Sequence, residues 1–191
     1  MDTCRNALLG LTLTFSLAIG GAAPALSGGG DPAGASPEVT VVGASPAQHD
    51  RVAAALASFE RAGLVVPPVE ITFVDGAEDC GGNDGWFQPP ATITVCSDLE
   101  FVVTHELAHA WIAVNLDAEA RAGYIQAREL EAWSDHDLAW HERGTEDAAF
   151  VMQQNLMITR FVPNSDTWQG RADAYQLLTG LESPLRIETT S

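Results

Sequence analysis

The sequence predicts an α+β domain, and three observations carry that prediction. Two short stretches alternate apolar and polar residues with period two, Val69–Val74 ("VEITFV") and Ala91–Cys96 ("ATITVC"). Apolar residues recur at helical spacing after Ser45, after Ser97 and again through the C-terminal half. Strand signals are confined to the first half and helical signals dominate the second, the segregation expected of α+β rather than of alternating βα units.

In chain order, residues 1–25 read as an export signal. Arg5 gives a positive start, Ala7 to Ala22 form an apolar run, and Ala23-Pro24-Ala25 gives the small-x-small pattern of a cleavage site. The run is too short, and its end too rich in Gly, Ala and Pro, for a membrane span. Residues 26–38, "LSGGGDPAGASPE", read as a disordered lead-in, and 39–191 as one domain. Val39–Val42 is a candidate strand. Ser45-Pro46-Ala47-Gln48 has the residues of a capped helix start, Val52, Ala55, Leu56 and Phe59 follow on one face, and Gly63 is the stop. Residues 75–90 read as a solvated, turn-rich loop. Its acids Asp75, Glu78, Asp79 and Asp84 do not have EF-hand spacing and are not read as a calcium site.

Ser97-Asp98-Leu99-Glu100 has the form of a second capping box, opening a helix with Val103, Leu107, Ala110 and Val114 facing the core. The helix breaks near Asn115–Asp117. Glu119 to Leu130 reads as helical, and "EAWSDHDLAWHERG" as either helix or ordered loop. Glu146 to Thr159 is the next helix, Pro163 to Asp166 a turn, and a last helix runs from Asp166 or Thr167 to Gly180.

The formal charge is −17 with no lysine, and it stays −17 without residues 1–25, which remove one Arg and one Asp. Such a chain repels phosphate backbones and anionic lipid, so neither nucleic acid nor stable membrane association is expected. A monomer is expected separately from the charge. Beyond Cys4, the cysteines are Cys80 and Cys96, an even pair that in an exported chain reads as one disulfide.

The stretch with chemistry in it is "VVTHELAHAW", residues 102–111. His105 and His109 are one helical turn apart and can grip one ion. Neutral imidazole is a good zinc ligand. Glu106 lies beside that face, where it can take a proton from a water activated by the metal. The same string arises by chance in about one such sequence in a hundred. What strengthens it is the context: an amphipathic helix, a strand just before it, and an extracellular compartment.

"HELAHAW", preceded by "ATITVC", resembles the active-site helix and edge strand of the zincin metallopeptidases, over roughly residues 91–116. The resemblance implies a minimal zincin-like domain with a short β-sheet and its edge strand over the HExxH helix, and a helical C-terminal half. It implies a Zn²⁺ cofactor, His105 and His109 as metal ligands, Glu106 as catalytic base, and a peptide or protein substrate laid along "ATITV" as an added strand. Ile112 and Asn115 stand where the metzincin branch needs Gly and His, which points to the gluzincin style with a glutamate as third ligand. Two segments compete for that role. Glu131 in "EAWSD" lies 22 residues after His109 and resembles the thermolysin-like branch, with Asp135 orienting a histidine. Glu146 in "RGTEDAAF" is preferred, since small Ala149 on its face lets that helix approach the motif helix. Asp135, His136 and His141 remain further alternatives. The oxyanion donor is open among His136, His141, Arg143 and Tyr124, and Trp111, Trp133 and Trp140 read as core or cleft walls. The expected function is a secreted zinc peptidase. The alternatives are a secreted zinc-binding or interaction module on a zincin-like fold that no longer turns over, and a metal-free exported domain.

Overall fold

The computed structural model describes residues 38–157 and 167–185. The expected signal segment, the lead-in up to residue 37 and the turn from Pro163 to Asp166 lie outside them. The fold is α+β. The elements run β1 (Val39–Val42), α1 (Pro46–Arg61), β2 (Val69–Phe73), β3 (Gly85–Gln88), β4 (Thr92–Val95), α2 (Glu100–Asn115), α3 (Ala118–Arg128), α4 (Gly144–Met157) and α5 (Trp168–Thr179).

The four strands form one sheet in the order β1-β2-β4-β3. β1, β2 and β4 are mutually parallel, and β3 runs antiparallel to β4 with Trp86 opposite Thr94 and Phe87 opposite Ile93. The period-two pattern sorts the faces. Val69, Ile71, Phe73, Ile93 and Val95 are buried under the helices, while Glu70 and Thr92 are exposed. Among the described residues the helices cover one face of the sheet, in keeping with the alternation.

Helix α1 starts as its residues dictate: Ser45 Oγ accepts from the Gln48 amide, the Gln48 side chain accepts from the Ser45 amide, and Pro46 occupies the first turn. Gly63 follows the helix with φ +73°, a left-handed conformation that suits glycine. α5 likewise runs from a Thr167 cap to Gly180 in the left-handed region.

Three expectations are corrected. The segment 75–90 is not simply a loop, because it contains β3. As a result "ATITV" is an interior strand between β2 and β3, and the edge strand beside the motif helix is Gly85–Gln88. The second capping box does not form. The N-cap of α2 is Leu99, with no side-chain cap, while Ser97 Oγ accepts from the Leu99 amide and Asp98 pairs with Arg51 at 2.7 Å. Val114 is 63% exposed, on the outward side of the last turn with Ala113 and Asn115, whereas Ile112 and Leu116 face the core. Elsewhere α2 is buried on nearly all sides, between the sheet, α1 and α4. The ambiguous segment after α3 is an ordered loop with a single 3-10 turn at Trp140–Glu142.

Cys80 and Cys96 form a disulfide that ties the end of β4 to the 3-10 turn Ala77–Cys80 before β3. Closing a loop of this size removes denatured-state freedom worth about 3 kcal/mol. The Cys80→Ala/Cys96→Ala pair is therefore expected to lower unfolding stability by about 2–4 kcal/mol in urea titration. A loss well under 1 kcal/mol would show that the β3 loop is held without it.

Candidate metal centre

Helix α2 brings the Nε2 atoms of His105 and His109 to 3.1 Å from one another. Glu146, in the first turn of α4, aims Oε2 at both, 3.3 Å from His105 Nε2 and 3.2 Å from His109 Nε2. The three donors form a nearly equilateral triangle. A tetrahedral ion with bonds of about 2.0–2.1 Å needs donor–donor edges of about 3.3–3.4 Å. The observed spacing is close to that, so these three residues could hold a metal ion.

The surroundings fix each donor. Thr145 Oγ1 stands 3.5 Å from His109 Nδ1, on the far side of the ring from Glu146. The Phe87 ring lies parallel to His109, and Trp140 sits over His105 with ring centroids 5.7 Å apart. Glu146 is placed by the start of α4. The Gly144 amide bonds the Ala132 carbonyl and the Thr145 amide the Trp133 carbonyl, seating the helix on the preceding loop. Gly144 fits closely there: a Cβ would come 3.1 Å from the Trp133 ring and 3.2 Å from the Ala132 carbonyl oxygen, so the loop would have to shift by a few tenths of an ångström. The neighbouring Asp147 turns away from the cleft. It receives a bidentate Arg128 at 2.9 and 3.0 Å and the Tyr124 hydroxyl at 2.6 Å, clamping α3 to α4. Removing Asp147 takes away the acceptor shared by Arg128 and the Tyr124 hydroxyl in a half-buried site. Asp147→Ala is expected to cost about 2–4 kcal/mol of stability in thermal or urea unfolding, and an unchanged midpoint would contradict the clamp. α4 packs on α2, and Ala108 on α2 and Ala149 and Met152 on α4 are all fully buried.

The carboxylates respond to this geometry in opposite directions. Burial raises Glu146, but hydrogen bonds and charge from the two imidazoles outweigh it and bring it down to about 2. Glu106 is 5% exposed. Burial pushes it up, His105 pulls it down, Glu146 pushes it up and the Phe87 amide, which donates to it, pulls it down, leaving it at about 7. In the metal-free protein Glu106 thus binds a proton in the folded state that the unfolded chain has released. Stability present below about 4.5 is lost as pH rises to about 7, by roughly 3 kcal/mol. Urea denaturation in chelator across that window tests this. Glu146 does not interfere, because its own gain is complete once the pH exceeds about 4.5. A flat profile would contradict a buried, weakly compensated Glu106.

Of the other candidates, Glu131, Asp135, His136 and His141 are exposed, and none joins the donor triangle. Tyr124 is 1% exposed and committed to Asp147, which removes it as an oxyanion donor. Arg143 bonds the carbonyls of His136 and Leu138 and, with His136, lines the cleft. That cleft has a volume of about 820 Å³ and takes in β3, the three donors, Glu106, Trp133 and Trp140. Trp111 is core, at 7% exposure. Sequence reasoning missed Gly85 and Phe87, although "GWFQ" alternates in burial. Its flanks of Gly, Asn and Pro concealed the strand.

No protein-family model, curated protein or solved structure matches the chain.

Proposed function

We propose that this protein is an exported zinc peptidase with a zincin-like, gluzincin-style centre, in which His105, His109 and Glu146 hold Zn²⁺ and Glu106 is the general base. The observation that carries the reading is the convergence of two imidazoles and one carboxylate at 3.1–3.3 Å, in a cleft where a second, unligated carboxylate is buried beside them. Zinc in that position supplies Lewis acidity and acidifies water to near neutrality.

The chain's own groups do the rest. Glu106, with a proton affinity close to neutral pH, takes a proton from water as the water oxygen adds to the peptide carbonyl carbon. It then delivers that proton to the departing nitrogen as the C–N bond breaks. His136 and Arg143 lie in the cleft wall, where either can donate to the carbonyl oxygen. The Cys96 amide bonds the Asp84 carbonyl, so Asp84, Trp86 and Gln88 turn their backbone groups to β4, and Gly85 and Phe87 turn theirs toward the cleft, the Phe87 amide to Glu106. Strand addition of a substrate, expected at "ATITV", is therefore assigned to β3. A module that keeps zinc without turnover gains nothing from a buried carboxylate that burial destabilises.

The Cys80–Cys96 disulfide supports an oxidising compartment, and among the described residues no helix is long and apolar enough to cross a membrane. The test of the reading is peptide-library cleavage by zinc-loaded protein. Chelator-sensitive hydrolysis restored by zinc supports it. Full zinc occupancy with no cleavage across a diverse library would overturn it.

A further inference from the structure

Gly85 stands on β3 directly against the Glu106 carboxylate. Its backbone is ordinary for an L residue, so conformational freedom does not explain a glycine here. Space does. A Cβ at this position would lie 2.7 Å from Glu106 Oε1, 3.0 Å from Glu106 Cγ and 2.7 Å from Val102 Cγ1. These are well inside van der Waals separation. Val102 is β-branched and 2% exposed, and Glu106 is 5% exposed, so neither can retreat freely.

We propose that Gly85 is a positioning residue for the general base: the side chain it lacks is the space the Glu106 carboxylate fills, so the edge strand sets where the base stands. The catalytic consequence rests on the peptidase reading. The steric coupling does not, and it can be measured without turnover.

The experiment is a double-mutant cycle with Gly85→Ala, Glu106→Ala and both together, on zinc-loaded full chain. The readouts are zinc content and the affinity of acetohydroxamic acid, a chelator whose hydroxyl proton a carboxylate beside the metal can take. Each variant is expected to keep one zinc. Gly85→Ala should weaken acetohydroxamic acid about tenfold while Glu106 is present, and by no more than about twofold once Glu106 is Ala. Equal losses in the two backgrounds, or no loss in either, would overturn the proposal. Should Gly85→Ala not fold, Gly85→Ala/Val102→Ala removes the second crowded contact and leaves only Glu106 to be displaced; it is compared with Val102→Ala, with the same expected loss and the same failure. Absence of peptide cleavage by the wild type would count against the hydrolase reading alone, because the cycle reads metal-site chemistry rather than hydrolysis.

Discussion

Glu106→Ala is expected to abolish peptide hydrolysis while leaving zinc bound. The proposed metal donors are His105, His109 and Glu146, and Glu106 is not among them. Loss of a positioned general base costs about 10²–10⁴-fold in rate, so kcat should fall by that factor with metal content unchanged. Glu106→Gln keeps the volume and removes the charge, and should be as inactive. It should also erase the stability change of the metal-free protein between pH 4.5 and about 7, because that change belongs to the buried carboxyl. Kinetics and unfolding then report on one side chain by independent routes. If wild type and Glu106→Ala hydrolyse a peptide library equally, the base is elsewhere. If both are inert with zinc bound, the protein is a zinc-binding module and not a peptidase.

Glu146→Ala should have the largest effect on metal affinity. Among the described residues it is the only carboxylate that reaches both imidazoles, and its departure leaves two ring nitrogens 3.1 Å apart without the anionic donor. Loss of an outer partner of a zinc ligand typically weakens binding about 10–100-fold, and loss of the ligand itself should exceed about 100-fold. Wild-type protein at a free zinc concentration of about 100 Kd should gain about 2.7 kcal/mol of stability, and Glu146→Ala should show almost none of that gain. Glu131→Ala provides the contrast. Glu131 is exposed and outside the triangle, so zinc affinity should be unchanged. Reversed results for the two variants would move the third ligand to the loop after α3.

The parts of this fold that were legible in the sequence are those with local physics. The Ser45-Pro46-Gln48 start of α1 is written in its capping residues, the buried face of β2 in its alternation, and the disulfide in the cysteine count. The pairing of His105 with His109 is legible for the same reason, because one helical turn sets it. What the sequence left open depends on tertiary placement. The sequence left both Glu131 and Glu146 open, and it is the docking of α4, through the Gly144 and Thr145 backbone bonds and the Asp147 clamp, that brings Glu146 to the imidazoles. β3 escaped because it is four residues long and its neighbours are turn formers. With it went the position of the sheet edge, and so the identity of the strand beside Glu106. The absent cap on Ser97 has a similar cause. Its hydroxyl is taken by a local bond to Leu99, and packing on nearly all sides of α2 holds the helix without it.

X-ray absorption at the zinc edge, on protein purified and loaded with one equivalent of zinc, probes the centre most directly. The expected spectrum has one zinc per chain with two imidazole nitrogens and one carboxylate oxygen at about 2.0–2.1 Å, completed by one further light atom. Zinc that fails to bind stoichiometrically, or binds with a single imidazole or an all-oxygen shell, would contradict a centre built from His105, His109 and Glu146.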